Sequence, residues 1–390
     1  MSLLSAILSP GFRQAASVQI TTGPAAKDIG SALAGMVATI DVRTSRSEAA
    51  TATITFDDRR ESDGNFMVAD GGPFTRWLQV TINVDFQTHV EEVFRGYVTE
   101  LKPQLPQNGG EAKLVVELQD DGVALSREHM RRVWGEDAPM TDNAILTELI
   151  APLGLSIADG SGDGQSSRAL TQDGAPITFL RDRARANGYE IIFARGEVWF
   201  GPMRLDASAQ ETMMVYAGSA TNCLSFNVSD AAMQADQVGF EHAPRSEGAD
   251  PVVEVVGPDL PLLGTTAVAE EGATLGTPSV TRVSREGDET EEETRARAVA
   301  MANDASMRIR ATGELDGTLY GHVLLPALPV RVDGVGTRNG GLYYVDKVTH
   351  AFTPDGYRQQ FELIRNATGD ADSPGAAPLS QALSAIASLF

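Results

Sequence analysis

The stretch LQVTINVDFQ, residues 78–87, decides the fold class of this 390-residue chain. Its apolar side chains occupy every second position and alternate with Gln, Thr, Asn and Asp. A period of two is that of a β-strand with one buried face, and it does not fit a helical stripe. The same alternation recurs in residues 51–56 and 114–118, with turn-forming clusters between the three segments. The first hundred residues therefore predict a β-barrel or sandwich.

The character of the sequence changes after residue 120. Apolar spacing and capping residues in this part predict helices and a hairpin, which together form a compact α+β module. The predicted elements are a helix over 125–134, a helix capped by Asp142 and ending at Pro152-Leu153-Gly154, a mobile loop over 159–167, a helix over 177–187, and a hairpin that turns at Arg195-Gly196.

From about residue 215 the pattern is that of β-strands again, notably around 330–332, 342–352 and 361–364. Residues 243–288 are rich in Gly, Pro, Ser and acids, which predicts irregular structure. The pair Thr290 and Glu293 forms a capping-box pattern that predicts a helix near 290–311. The predicted buried stripe of that helix consists of Ala298, Met301, Ala302, Ala305 and Ile309.

The bulk composition limits the partners and the environment of the protein. The formal net charge of -22 argues against stable nucleic-acid binding, because an acidic surface repels phosphates. The same charge fits either simple solubility or an acidic lumen through which cargo slides. Cys223 is the only cysteine, so no intrachain disulfide forms, as in proteins assembled in a reducing cytoplasm. The apolar run at residues 3–8 lacks the basic flank of a signal peptide, and no stretch is long enough to span a bilayer.

No motif for catalysis is present, and we predict no catalytic, cofactor-binding or metal-binding residues. The G-x-S-x-G, H-E-x-x-H and Walker patterns are missing. A calcium-loop-like segment at 159–164 lacks its closing glutamate, where Leu170 stands. None of the histidines is at metal-ligand spacing from another in the sequence. They are His89, His129, His242, His322 and His350.

Three segments resemble the phage late control D and baseplate-hub family, which includes the hub part of VgrG proteins. Residues 93–99 (VFRGYVT) resemble an F-x-G-x-V strand of that family. Residues 178–190 (TFLRDRARANGYE) resemble its F-L-x-x-L-A-x-x-x-G-Y helix, although Arg183 stands where Leu is commoner. Residues 340–350 (GGLYYVDKVTH) are similar to a strand near the C-terminal end of the hub. The three segments resemble the family in their order and spacing as well, and this likeness spans most of residues 80–366.

The resemblance implies a mainly β fold with an α+β insertion. Two tube-like β-barrels would flank a smaller inserted domain that contains helices. The predicted divisions are a first barrel over 1–120, the insertion over 121–214, a second barrel over 215–366, and a flexible linker with an apolar tail over 367–390. Within this frame we interpret His350 as a packing or hydrogen-bonding residue at a strand end.

The resemblance also implies a structural function and no enzymatic activity. Three chains would form a ring in the baseplate of a contractile tail, joining a sixfold tail tube to a threefold spike. Implied partners are two further copies of the chain, the tail tube protein, a separate spike protein, baseplate wedge proteins and a tape measure protein. The implied location is a virion tail or injection-system particle that is assembled in the bacterial cytoplasm. The spike would be a separate polypeptide because the sequence ends soon after the last predicted strand.

The C-terminal tail is the predicted docking site. Its apolar residues recur at helical spacing behind a Gly/Ala/Ser linker, and we expect them to bind the spike, a tape measure or a neighbouring chain. Two other functions stay open at this point: the hub segment of a type VI secretion spike, and an enzyme that degrades cell walls or polysaccharides. The docking residues are Leu379, Leu383, Ile386, Leu389 and Phe390.

Overall fold

The computed structural model describes residues 16–106, 111–166, 168–242, 252–271, 277–287 and 289–370. Strands dominate these residues. They are β1 (Ser17–Thr22), β2 (Lys27–Asp28), β3 (Val37–Ser45), β4 (Thr51–Asp58), β5 (Gln79–Asp85), β6 (Val90–Gln104), β7 (Ala112–Asp120), β8 (Met130–Trp134), β9 (Ser156–Ile157), β10 (Leu170–Gly174), β11 (Glu190–Ala194), β12 (Glu197–Gly201), β13 (Gln210–Met214), β14 (Cys223–Asp230), β15 (Gln237–His242), β16 (Val252–Val256), β17 (Thr266–Ala267), β18 (Val280–Val283), β19 (Ile309–Asp316), β20 (Pro329–Asp333), β21 (Gly341–Thr353), β22 (Gly356–Arg365) and β23 (Ala367–Thr368).

The helices are fewer, and most are short. They are α1 (Ser31–Ala34), α2 (Asp142–Ile150), α3 (Pro176–Asn187), α4 (Val268–Glu271), α5 (Glu291–Ser306), α6 (Gly317–Tyr320) and α7 (Gly336–Asn339), with 3₁₀ turns at Asp121–Ser126, Ala151–Leu153 and Gly218–Ala220.

A single 13-stranded sheet joins the two β regions of the chain. Its order is β14-β19-β22-β21-β3-β4-β7-β6-β5-β1-β2, with β20 also beside β21 and β13 beside β20. The 13-residue strand β21 makes the connection, because its first part pairs with β20 and its later part pairs with β3. The regions that the sequence separates are therefore continuous through backbone hydrogen bonds.

Each β region surrounds a core of its own. The alternating residues of β4, β5 and β7 line the first core, where Ile54, Phe56 and Val80 have no exposed surface. The six strands β13-β20-β21-β22-β19-β14 surround the second core, which includes Tyr343 and Leu363. A mainly β fold with large antiparallel sheets and an α+β insertion is confirmed.

Gly96, the glycine of the F-x-G-x-V segment, is required at its position for a steric reason. A β-carbon on Gly96 would lie 2.0 Å from the carbonyl oxygen of Gln119 on the neighbouring strand. No side chain is accommodated at that distance without moving the backbone, so β6 and β7 approach each other only with glycine at this position.

Between the β regions lies a helix-containing module with a third core. Helices α2 and α3 pack with Trp134, Leu170 and Phe200 from three short strands. The predicted helix over 177–187 and the hairpin at Arg195-Gly196 are confirmed, and both turn residues have positive φ.

Two details of this module differ from the prediction. Residues 125–134 are not a helix but a 3₁₀ turn followed by β8, because β8 pairs with β10 some 40 residues further along the chain. The cap of α2 is Thr141, whose Oγ1 accepts a hydrogen bond from the amide of Ala144 at 3.1 Å. Asp142 is buried instead.

The region around 243–288 is more regular than its composition suggests. Its described parts contain β16 and β18, which flank β15 in a three-stranded sheet. Helix α5 packs on this sheet through Ala298 and Ala302. The capping box of Thr290 and Glu293 is confirmed.

The predicted apolar stripe of α5 is wrong at two positions. Met301 is exposed, and Ile309 lies on β19 after the helix has ended. The small residues of the helix meet the sheet, since only they allow the close approach of helix and strands.

Candidate functional site

The strand β14 forms one edge of the large sheet. It pairs with β19 on one side, and among the described strands no ladder joins its other side to a partner. The chain reaches β14 from β13 through a tight loop, in which the amide of Asn222 donates to the carbonyl of Met214 at 3.1 Å. Beyond Asn222 the two strands are not paired, so one edge of β14 is left without a neighbour.

The apolar side chains of this edge are only partly covered. Phe226 and Val228 lie opposite Gly313 and Ala311, on the face that covers the second core. The ring of Phe226 is in edge contact with Tyr343, at 6.0 Å between centroids. Val228 is 37% exposed. The second core is therefore open at β14.

The sheet branches at β21 and so ends at three strands, β14, the five-residue β13 and β2, which differ in how they are protected. The far edge is β2, which has two residues, one of them Lys27. The edge at β14 has eight residues and contains no lysine, arginine or proline. Short edges and edge lysines prevent unwanted strand pairing, whereas a long edge without them accepts another strand. We identify residues 223–230 as the candidate assembly edge.

The residues predicted for docking, Leu379, Leu383, Ile386, Leu389 and Phe390, lie outside the described residues. The sequence argument did not single out β14, although its alternating Leu224, Phe226 and Val228 form a visible strand pattern. A one-dimensional pattern identifies a strand but not an edge, because the edge depends on which strands lie beside it.

Charged contacts fix the inserted module against the rest of the molecule. Arg183 of α3 is 7% exposed and donates to both carboxylate oxygens of Asp142, at 2.6 and 3.1 Å. It also donates to Glu293 at 2.9 Å, and Glu293 in turn accepts from Arg168. Burial alone would raise the pKa of Glu293, but hydrogen bonds from Thr290 and these arginines leave the pKa below its usual value. The arginine in place of the commoner leucine therefore ties α3 to α5.

A second cluster joins the module to the sheet. Arg46 donates to Asp346 at 2.6 Å and to Glu190 at 3.4 Å. The hydroxyl of Tyr344 donates to the other oxygen of Glu190 at 2.8 Å. Burial raises the pKa of Glu190 to about 7, although the charge of Arg46 and the hydrogen bonds from Tyr344 and Arg46 act in the opposite direction.

We expect Glu190→Gln to change the pH dependence of stability. The folded carboxyl binds its proton more tightly than the unfolded one, so ionisation makes folding less favourable as the pH rises from about 4.5 to 7. Glutamine keeps an acceptor for Tyr344 but carries no charge. Relative to wild type, the variant should gain on the order of 1–3 kcal/mol of unfolding free energy between pH 5 and pH 7.5, measured by urea denaturation.

The exposed Glu197→Gln is the control for this experiment and should show no such trend. A difference between Glu190→Gln and wild type that is the same at pH 5 and at pH 7.5 would contradict the raised pKa.

His350 lies in β21 and has no exposed surface. Its Nδ1 is 2.9 Å from the hydroxyl of Tyr357, and burial lowers its pKa to about 3. The imidazole is therefore neutral at physiological pH and packs within the sheet.

A search for membrane-spanning helices in the described part of the chain finds none of sufficient length and hydrophobicity.

Solved structures with this fold belong to phage tails and related systems. The prophage MuSo2 43 kDa tail protein from Shewanella oneidensis superposes with a TM-score of 0.67 at 12% identity, over 91% of this chain and 100% of that one. The tail protein from Neisseria meningitidis MC58 gives a TM-score of 0.62 at 12% identity, over 90% and 97% of the two chains.

A more distant likeness extends to secretion systems. The Escherichia coli c3393 protein is a component of the type VI secretion system and resembles T4 bacteriophage tail proteins gp27 and gp5. It superposes with a TM-score of 0.52 at 12% identity, over 93% of this chain and 80% of that one. At such identities the likeness establishes the fold, which is that of phage tail proteins.

At the level of sequence, no curated protein matches the chain. One family model does match, over residues 17–354, which is well over half of the chain. The name of that family states no activity. By this match the chain belongs to the family described as the Alg8 N-terminal domain.

Proposed function

We propose that this protein is a structural hub of a contractile tail, in a phage or a phage-like injection system, and a member of the late control D group of hubs. Three copies form a ring that joins the tail tube to a spike and adapts sixfold to threefold symmetry. The observation that carries the proposal is the long unprotected edge at β14 on a fold shared with tail proteins. In a ring each subunit must present a surface that a neighbour completes, and an unpaired strand edge is a surface of this kind.

The open second core supports the same role. In a ring, a neighbouring chain would cover Leu224, Phe226 and Val228, and this burial would stabilise the trimer. Such an interface makes the subunits interdependent, as in obligate oligomers. The tail tube, the spike, baseplate wedge proteins and a tape measure protein are the further proposed partners.

Introducing a lysine into β14 tests whether this edge lies in the interface of the proposed ring. Wild type should have a native mass of three times the 41.4 kDa chain mass, by light scattering or native mass spectrometry, alone or with its spike. Val228→Lys should shift the mass to that of a monomer, because a charge would be buried in the interface without a partner. The fold should be retained, since Val228 is 37% exposed in the single chain.

Val133→Lys is the matched control. Val133 is a 44% exposed strand valine in the inserted module, and its replacement should leave the trimer intact. A wild-type protein that stays monomeric even with a spike would count against the hub. A Val228→Lys trimer as stable as wild type would remove β14 from the interface.

A hub in a type VI secretion spike is the second candidate, favoured by the likeness to the Escherichia coli protein. Neighbouring genes distinguish the two: capsid genes beside sheath and tube genes indicate a phage, and sheath and tube genes alone indicate an injection system. An enzyme acting on cell walls is the third candidate, and hydrolysis of purified peptidoglycan by the isolated chain would favour it.

A further inference from the structure

Two histidines and a glutamate from distant parts of the chain meet beside the first core. His89 and Glu91 lie at the turn between β5 and β6, whereas His322 lies in the loop after α6. The Nδ1 of His322 donates to Oε1 of Glu91 at 2.7 Å, across 231 residues of sequence. The rings of His89 and His322 stack with 4.8 Å between their centroids.

His89 has one ring nitrogen in hydrogen-bond contact and one that makes no hydrogen bond. Its Nδ1 is 2.9 Å from Oγ1 of Thr88. Its Nε2 is inaccessible to solvent and makes no hydrogen bond, although it lies 3.2 Å from Oε1 of Glu91. A buried polar atom without a hydrogen bond is uncommon in folded proteins and requires an explanation. In metal-ligating histidines the ring nitrogen that does not bind the metal is held by a hydrogen bond to a neighbouring group, and Nδ1 of His89 is held in this way by Thr88, which leaves Nε2 for a ligand.

The separations come within a small side-chain rotation of those that a divalent cation requires. One nitrogen from each ring and one oxygen of Glu91 all lie within 4.8 Å of one another. In a tetrahedral zinc site with ligands at about 2.0–2.1 Å, neighbouring donor atoms are about 3.3 Å apart. The side chains of His89 and His322 are 34% and 42% exposed, so their rings have room for the small rotation that this needs.

We propose that His89, Glu91 and His322 bind a divalent transition-metal cation of the zinc type, with water as the fourth ligand. Two imidazoles and one carboxylate are a ligand set that zinc accepts. The proton on Nδ1 of His322 is released to solvent when that nitrogen becomes the ligand. Glu91 supplies the negative charge that partly neutralises the cation.

Further contacts hold the ligands in place. The amide of Val323 donates to Oε2 of Glu91 at 2.6 Å, which leaves Oε1 for the cation. Gln359 accepts from the amide of Leu324 and donates to the carbonyl of His322, both at 2.8 Å, and so fixes the loop that carries the second histidine. Bound metal therefore clamps the loop after α6 onto the β5–β6 turn and adds a cross-link between the two β regions.

The test is titration of tag-free, chelator-treated protein with Zn²⁺ by isothermal calorimetry, with Co²⁺ absorption as a second probe. Wild type should bind one Zn²⁺ per chain and unfold at a higher temperature with the metal than without it. Replacing a direct ligand, as in His322→Ala or Glu91→Gln, should weaken binding at least about 100-fold. Circular dichroism should show that both variants keep the wild-type fold.

His129→Ala is the control, because His129 is exposed and contacts a carboxylate of Asp173 at 2.7 Å without a second histidine. It should bind Zn²⁺ as wild type does. The proposal is overturned if wild type shows no saturable binding, or if His322→Ala and His129→Ala bind equally well. The three side chains would then be a hydrogen-bonded contact only.

Discussion

Replacing Arg183 by methionine is expected to lower the free energy of unfolding by about 3–5 kcal/mol. Arg183 is the shared partner of two carboxylates, Asp142 and Glu293, each about 1% exposed. Burial by itself would lower the pKa of Arg183, but its pairs with these carboxylates raise it above its usual value. Methionine fills a similar volume but leaves the buried carboxylate of Asp142 without a counter-charge and Glu293 with Arg168 alone, which is strongly unfavourable in a low-dielectric interior.

Urea denaturation followed by tryptophan fluorescence measures this effect, because Trp134 and Trp199 both lie in the inserted module. The matched control is Arg185→Met on the same helix. Arg185 is exposed and among the described residues pairs with Asp182, three residues away, so its loss should change stability by less than about 1 kcal/mol. Equal effects of the two substitutions would contradict a structural role for the buried network.

Replacing Arg365 by methionine should destabilise the second β region to a similar extent. Arg365 has no exposed surface, and burial lowers its pKa. Its guanidinium donates to the carbonyl oxygens of Leu263, Gly340 and Gly369, and it lies 5.0 Å from the ring centre of Tyr343. Methionine leaves three carbonyls without this donor, at a cost of about 1–3 kcal/mol each when buried. We expect a total loss of about 3–5 kcal/mol, because the contributions of contacts within one network do not add.

The control for this prediction is Arg358→Met on the same strand. Its side chain is 35% exposed and pairs with Asp316 at the surface, so a small effect is expected. Faster cleavage of the Arg365→Met variant by protease at the 257–265 loop would identify the segment that the arginine holds. Unchanged urea denaturation would show that the carbonyls find other donors.

Local patterns predicted several of the strands and the three longest helices. The alternation in 51–56, 78–87 and 114–118 corresponds to β4, β5 and β7, and the capping box begins α5 where expected. The failures also have local causes. Residues 125–134 carry apolar and charged residues at spacings that suit a helix, but pairing with β10 makes their last part a strand. The composition of residues 243–288 could not reveal β16 and β18, because these strands form by pairing with β15.

Site prediction depended on contacts that the sequence does not display. No sequence spacing links His89 to His322, and Arg183 looks like a departure from a helix motif until Asp142 and Glu293 are seen beside it. The apolar tail was visible from its helical spacing. The edge strand β14 was not, because only the absence of a neighbouring strand makes it an edge.

The sequence by itself determined the mainly β class, the α+β insertion and the three motif segments. The first two follow from side-chain periodicity and turn chemistry, which act over a few residues, whereas the motif segments were found by their resemblance to a known family. Tertiary structure alone decided that β21 joins both β regions into one sheet, which charges are buried together, and where the open edge lies. Those features arise between residues 40 to 300 positions apart, and the path of the folded chain, which local spacing does not record, brings them together.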